Sequence, residues 1–320
     1  MKKNDNRQYN LLKTRHNLLK AIRSYFYRHK YIEVETPNLM KTAPPDPYVD
    51  PLEVSIEGKS SCHLHTSPEI NMKKLLQFGH ERIFQICKVY RVEEFEEMHS
   101  TEFTMLEWYR KGTYTQAMDE VEDLVCYIAD RVCNNMNNYF KKPFKVIELK
   151  ELLFKYFGMD PFKLNRDEFF HMLYSKGFTN IDDKDDWNSM FFKLFIQDIE
   201  PKIIEKNPYF IKDWPCSITT MAKRKDDNIV ERFELYINGM EISNGYTELL
   251  DTEEQRRRFI NDNREREKLS KKTFELDEEF LQVLSNIKGQ YAGVSIGVDR
   301  LLMALLDKER IDDVLIQRFK

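Results

Sequence analysis

Cysteine is sparse and unpatterned in this sequence. Cys62, Cys87, Cys126, Cys133 and Cys216 are odd in number and include no C-x-x-C pair. This excludes a disulfide framework and a zinc cage of recognisable spacing, and suits free thiols in a reducing compartment. His63 and His65 alternate on one strand face, but no third ligand accompanies them, so they read as structural. Apolar runs of membrane-spanning length are missing, and the N-terminal MKKNDNRQYN has no apolar core behind its charges. The expected location is therefore the cytoplasm. An excess of charge of one sign is missing too: 32% of the 320 residues are charged, yet the net charge is −4. Proteins with a large nucleic-acid surface usually carry a basic excess or stripe, so the balance argues against extensive nucleic-acid contact.

What is present is ample material for a core, 41% hydrophobic and 13% aromatic, enough for one large domain or two ordinary ones. The stretch RIFQICKVYRVEEFEEMHSTEFTMLEWYR, residues 82–110, predicts two strands, 82–94 and 101–111, joined by a charged turn around 95–100. Side chains alternate along a strand, so Gln85, Cys87, Arg91 and Glu93 share one face, as do Phe103, Met105, Glu107 and Tyr109. Each face mixes charge with aromatic or sulfur groups. Periodicity alone leaves two readings open: a covered sheet whose other side is a polar ligand floor, or an exposed, charge-laced hairpin.

Residues 9–30 predict an amphipathic helix with Leu11, Leu18, Ile22 and Phe26 on one side and Arg28, His29 and Lys30 in its last turn. A short strand follows at 31–37, then a proline-rich loop at 41–54. Ser67-Pro68-Glu69 reads as a helix start, with Met72, Leu75 and Leu76 facing inward. A long helix from Thr115 to about 140 carries a core stripe of Met118, Val121, Leu124, Val125, Ile128 and Val132. Residues 147–206 look like two or three further helices without a chemical signature, and a strand returns at 208–215. Asn238-Gly239 predicts a two-residue hairpin turn, in which Ile237 opposes Met240, Tyr236 opposes Glu241 and Glu234 opposes Ser243. Glu234 and Glu241 then lie on one face as diagonal neighbours. Such a pair holds either a cation such as Mg²⁺ or a nearby basic side chain. Residues 255–268 form a charged helix whose basic run reads as solvated surface.

Arg91-x-Glu93, His99 and Glu102-Phe103-Thr104-Met105-Leu106-Glu107-Trp108-Tyr109 resemble motif 2 of the class II aminoacyl-tRNA synthetases, specifically the lysyl branch. The helix and strand before Pro37 resemble motif 1, the dimer interface of that class. Glu241-x-x-Asn244-Gly245-Tyr246-x-Glu248-Leu249 resembles the lysyl signature, and Gly293-x-x-x-Gly297-x-Asp299-Arg300-Leu301 resembles motif 3. The resemblance covers 9–320 and implies an α+β fold, an antiparallel sheet flanked by helices. It also implies one catalytic domain over 1–320, with a helical insertion at about 147–206 and no anticodon-binding domain.

The activity implied is formation of an aminoacyl-adenylate from ATP, with Mg²⁺ on Glu234 and Glu241. Arg91 would bridge the amino-acid carboxylate and the α-phosphate. His99 would lie near the outer phosphates, Glu93 near the adenine, and Phe103 and Arg300 on the two faces of that base. An arginine in a helix's first turn opposes the helix dipole, so Arg300 needs such a functional reason. Glu69, Glu107, Tyr109, Asn244, Tyr246 and Glu248 would bind the amino acid, and Ser295 would line its pocket. The short chain resembles most closely the elongation factor P lysine ligase family, a stand-alone relative of lysyl-tRNA synthetase that attaches lysine or (R)-β-lysine to that factor. A truncated synthetase-like enzyme acting on RNA or another carrier, and an inactive regulatory paralogue, are the competing readings. Val92, Ser100-Thr101 and Ser295 depart from the family wording, and Ser295 leaves the preferred lysine isomer open.

Overall fold

The computed structural model describes residues 2–58, 60–92, 97–133, 139–203, 205, 207–218 and 221–317. Its strands are β1 (Ile32–Glu33), β2 (Leu39–Met40), β3 (Glu53–Ile56), β4 (Ser60–Leu64), β5 (Arg82–Tyr90), β6 (Glu102–Lys111), β7 (Lys145–Glu148), β8 (Tyr209–Pro215), β9 (Ile229–Ile237), β10 (Met240–Thr247) and β11 (Tyr291–Gly297). The helices are α1 (Lys2–Arg28), α2 (Glu69–Leu76), α3 (Tyr114–Val132), α4 (Leu149–Phe157), α5 (Arg166–Ser175), α6 (Trp187–Leu194), α7 (Thr252–Lys268), α8 (Glu278–Leu284) and α9 (Val298–Leu305). One eight-stranded sheet runs β1-β5-β6-β11-β10-β9-β8-β7, and β2-β4-β3 form a smaller one. The six central strands of the large sheet pair antiparallel, while its outermost pairs, β1 with β5 and β7 with β8, are parallel. This is the expected α+β arrangement.

The large sheet has two unlike faces because its strands alternate. Phe84, Leu106, Trp108, Val294, Ile296, Phe233 and Leu235 point to one side and are buried with residues of α1, α3 and α9. The stripe of α3 enters this core with Met118, Val121, Leu124, Val125 and Ile128 all buried. Trp108 is its centre: fully buried, edge-on to Phe26 at 5.3 Å, with its indole Nε1–H donating to Glu120 at 3.3 Å. The segment after β7 forms a second core, where Leu153, Phe169, Phe191 and Phe195 pack with Tyr209, Ile211 and Trp214 of β8. No described helix is long and apolar enough to cross a membrane.

The Asn238-Gly239 turn forms as expected, both residues taking positive φ (53° and 73°). The register beyond it differs. Met240 opposes Ile237 and Glu241 opposes Tyr236, but a bulge between Glu241 and Ser243 moves Asn244, not Ser243, opposite Glu234. One inserted residue exchanges the faces of everything after it. Ile242 stays in the core with Met240, while Asn244 is carried to the face of Glu234.

Other boundaries shift for local reasons. The first helix begins at Lys2 and closes at Arg28, because Lys30 adopts left-handed backbone (φ 61°). The strand expected over 31–37 pairs only at Ile32 and Glu33. The strand expected to reach 94 ends at Tyr90, and α3 stops at Val132 where Cys133 is extended. The charged helix at 255–268 is not solvated throughout. Arg266 is 2% exposed, donating to the carbonyls of Asp46 and Lys272 and to the Asp50 carboxylate, each at 2.6 Å. A buried guanidinium satisfied on three sides clamps the proline-rich loop.

Trp108→Ala should destabilise the protein by about 3–5 kcal/mol, the cost of a large core cavity. Trp108→Phe should cost less than Trp108→Ala, and urea unfolding of both variants measures the difference.

Candidate active site

The face opposite the main core carries a transverse row of polar side chains. Gln85 of β5 pairs with Glu107 of β6, Glu107 with Ser295 of β11, Ser295 with Asn244 of β10, and Asn244 with Glu234 of β9. Five adjacent strands therefore present one line of hydrogen-bonding groups. The β10 bulge completes it, since without the extra residue Asn244 would face the core. The next row holds Tyr109, Gly293, Tyr246 and Arg232. Gly293 has a steric reason: a Cβ there would run into Glu248 Oε1 and lie 2.5 Å from the Tyr109 ring. The sheet is thus the covered kind with a polar floor, not an exposed hairpin.

Above this floor lie two compartments that share Arg91, Met105, Asn244 and Ser295 in their walls. The larger, about 300 Å³, is lined by Glu69, Glu107, Tyr109, Tyr246 and Glu248, with Tyr48 and Phe192 at its rim. Those two rings meet edge to face at 5.4 Å, bringing the proline-rich loop against α6. The smaller, about 130 Å³, is lined by His99, Phe103, Glu241 and Arg300. Arg91 stands on the boundary, its Nε donating to the Thr66 carbonyl at 3.1 Å and its guanidinium 5.3 Å from the Phe103 ring centre. Glu93 lies outside the described residues.

In the larger compartment Tyr109 Oη donates to Glu107 at 2.7 Å, and Tyr246 Oη donates to Glu69. Burial, reinforced by the charge of Glu69, pushes the Glu107 carboxyl up to about 8. Burial also raises Glu248, against the pull of Lys73. Lys73, 1% exposed, was not among the expected site residues. Its ammonium lies 2.5 Å from Glu69 and 2.5 Å from Glu248, and 5.3 Å from the Tyr246 ring centre. The acid expected to meet a ligand's ammonium therefore already faces a resident one. Burial works against the charged form of Lys73, but the fields of Glu248 and Glu69 outweigh it and hold its pKa above the ordinary value.

In the smaller compartment Arg300 Nη1 donates to the Glu241 carbonyl at 3.3 Å, and its Nη2 lies 2.6 Å from His99 Nε2. A guanidinium nitrogen only donates, so that histidine nitrogen accepts. The guanidinium over Phe103 belongs to Arg91, whereas Arg300 is drawn toward His99. Glu234 is buried, accepts from Tyr236 Oη at 2.7 Å, and is ion-paired with Arg232. Burial raises Glu234 to about 8, with Arg232 opposing and Glu241 adding to the rise. Arg232 also donates to Asn244 Oδ1 at 3.0 Å and lies over Trp214. Glu200, from the segment between α6 and β8, is pushed up to about 7 by burial and by Glu241.

A family model for class II tRNA synthetases (D, K and N) matches residues 1–317. The chain belongs to this family. Curated relatives cover nearly its full length. A protein of Haemophilus influenzae (strain PittGG) named elongation factor P–(R)-beta-lysine ligase is 36% identical over 314 residues, covering 96% of this chain and 94% of the relative. Proteins of the same name from Pectobacterium carotovorum and from Buchnera aphidicola are 34% and 33% identical, covering 96% and 97% of this chain and 94% and 95% of theirs.

Within this class II frame, the sequence reading missed Lys73, Arg232, Glu200 and Arg266. Two of these left a signal. Glu69 and Lys73 are spaced i,i+4 on one helix face, and Arg232 lies two residues from Glu234 on one strand face. Such a pair reads as surface until something buries it. Glu200 and Arg266 reach the site region through chain folding alone.

The Glu107 carboxyl generates a pH prediction. Its folded value of about 8 lies above the ordinary 4.5, so the folded state holds this proton more tightly than the unfolded chain. That contribution is complete below pH 4.5 and is lost as the pH rises through about 8. Glu107→Gln has no proton to lose there. Over that window it should gain stability relative to wild type, reaching the order of a few kcal/mol by pH 9. Urea unfolding without ligand measures this, and a gap independent of pH would contradict it.

Proposed function

We propose that this chain is an ATP-dependent, AMP-forming ligase that activates lysine or (R)-β-lysine and transfers it to a lysine side chain of elongation factor P. The observation that carries this reading is the boundary position of Arg91. One cation stands between an acid-lined compartment of about 300 Å³ and a cation-bearing one of about 130 Å³. The names of the relatives support the acceptor and the amino acid. A diamino acid enters with its ammonium groups toward Glu69, Glu107 and Glu248 and its carboxylate toward Arg91.

The chemistry follows from charge. A carboxylate oxygen attacks the α-phosphorus of ATP, the bond to the β-phosphate oxygen breaks, and pyrophosphate leaves. Both reactants are anions, so the protein must neutralise and align them. Arg91 contacts both, and its guanidinium geometry suits the paired oxygens of a carboxylate and a phosphate. Arg300, His99 and Phe103 hold the nucleotide. In the second step the acceptor's amine attacks the carbonyl carbon, the carbon–oxygen bond to AMP breaks, and the amine loses a proton.

Glu234 and Glu241 are the residues that would hold Mg²⁺. Among the described residues no group of three or more potential ligands forms a cage. Two hard carboxylates fit an ion that usually completes its shell with phosphate oxygens and water. Burial and the charge of Glu241 hold Glu234 near 8 even beside Arg232, so a second cation would further relieve the cost of its charge. When bound, Mg²⁺ supplies neutralisation of the phosphates. Dimerisation is inferred through α1 and β1, where Tyr9, Leu12, Tyr27 and Ile32 are at least half exposed.

Lysine-dependent ATP–pyrophosphate exchange tests the first step. Arg91→Ala should lower kcat/KM by about 10³-fold, the scale of losing a charged transition-state contact. Gly293→Ala should abolish lysine-dependent exchange while costing only about 1–3 kcal/mol of stability, because the new methyl crowds Glu248 and Tyr109. For the second step, labelled lysine and ATP are offered with elongation factor P or with tRNA. Label should appear on the factor; label on tRNA alone would favour the RNA-directed reading.

A further inference from the structure

Lys73 poses a problem that the ligase chemistry does not absorb. An ammonium only 1% exposed, not itself part of the compartment's lining, engages Glu69 and Glu248, two of the lining acids that would receive a ligand's ammonium groups. If its role were only to hold the fold together, an apolar side chain would serve as well or better, because desolvating an ion pair often costs more than its attraction returns. Its position is specific. The charged groups around it are Glu69 from its own helix, Glu248 just beyond β10, and Glu107 from β6, which feels its field. The uncharged ones are the Tyr246 ring and Met221, whose Sδ lies 3.4 Å from its Nζ.

The nearest approach of Lys73 is to Oε1 of Glu69 and to Oε2 of Glu248, so one ammonium bridges the two carboxyl groups. Three carboxyl groups against one resident ammonium leave an acid excess that the ammonium groups of a diamino acid can fill, drawing off the protons that burial favours on Glu107 and Glu248. The remaining charged residues of this compartment are committed elsewhere. Arg232 is bound to Asn244 and Glu234, Asp46 accepts from the backbone N–H groups of Tyr48 and Val49, and Arg91 stands at the far boundary.

We infer that Lys73 is a positioning residue for substrate selection: its ammonium bridges Glu69 and Glu248, fixes the two carboxyl groups in place, and offsets part of the compartment's acid excess. This rests on the reading above that the amino acid is a diamino acid. Removing the ammonium would leave Glu248 to burial and the charge of Glu69, opposed only by the Gly293 backbone N–H, raising its carboxyl further. The carboxylate must be ionised to hold a substrate ammonium, so the acidic limb of the pH profile should move to higher pH.

The test is ATP–pyrophosphate exchange with L-lysine and with (R)-β-lysine across pH. In Lys73→Met, KM for the amino acid should rise at least about tenfold and KM for ATP should stay within about twofold. The acidic limb of kcat/KM should move up by about one pH unit or more, the usual effect of an opposite charge at this range. Lys73→Arg keeps the charge, so it should leave the limb where wild type has it and recover part of the KM. This second variant carries the test if Lys73→Met does not fold. Lower thermal stability with unchanged amino-acid KM and an unmoved limb would assign Lys73 a structural role and overturn the inference. Wild type that exchanges with neither amino acid would instead overturn the functional reading, and this inference with it, before any variant is compared.

Discussion

Carboxylates taken out of water are the constraint around which this molecule is arranged. Glu107, Glu234 and Glu248 are each under 5% exposed, and a buried unpaired charge costs several kcal/mol. The fold meets this cost by bringing basic side chains in from separate elements. Lys73 arrives on α2 to face Glu248, and Arg232 lies beside Glu234 on β9. Tyr109 and Tyr236 donate their hydroxyls to Glu107 and Glu234, and Tyr246 donates to Glu69. The compensation is incomplete, since Glu107 and Glu234 both remain near 8. A pocket whose acids are only partly neutralised favours a cationic ligand, and that residual imbalance is what the proposed activity uses.

Such a pocket needs a rigid floor, which the sheet supplies by having one face for stability and one for chemistry. Trp108 and its neighbours lock β5, β6 and β11 against α1 and α3. Glu107 and Tyr109, on either side of Trp108 in sequence, are held on the opposite face by the same backbone. The Asp299 carboxylate further ties α9 to β6 and α1, accepting from Thr104 N at 2.7 Å and from Arg15 at 2.5 Å. The motif 3 aspartate thus has a structural explanation in this chain. Arg266 does comparable work on the other side, clamping the proline-rich loop that borders the amino-acid compartment.

Much of the architecture was legible because it is local. The strand pair of motif 2, the Asn238-Gly239 turn, the start of α2 after Pro68 and the strand-to-helix passage at Gly297 all depend on propensity and turn chemistry within a few residues. Helix ends were less legible, because α1 and α3 stop where single residues leave helical backbone. The Glu234 register failed for a similar reason. A bulge is one extra residue, and nothing local in Met240–Ser243 announces it.

The sequence by itself determined the family, the two-faced hairpins and the presence of acids and arginines in class II motifs, since alternation and motif wording need no third dimension. Tertiary structure alone decided which cation each acid meets. Lys73 and Glu248 are far apart in sequence, as are Arg266 and Asp50, and a charge pair written at i,i+4 looks the same on a solvated helix as in a buried one. The difference is desolvation, which depends on what packs above the pair, and that is fixed only when α2, the sheet and the proline-rich loop come together.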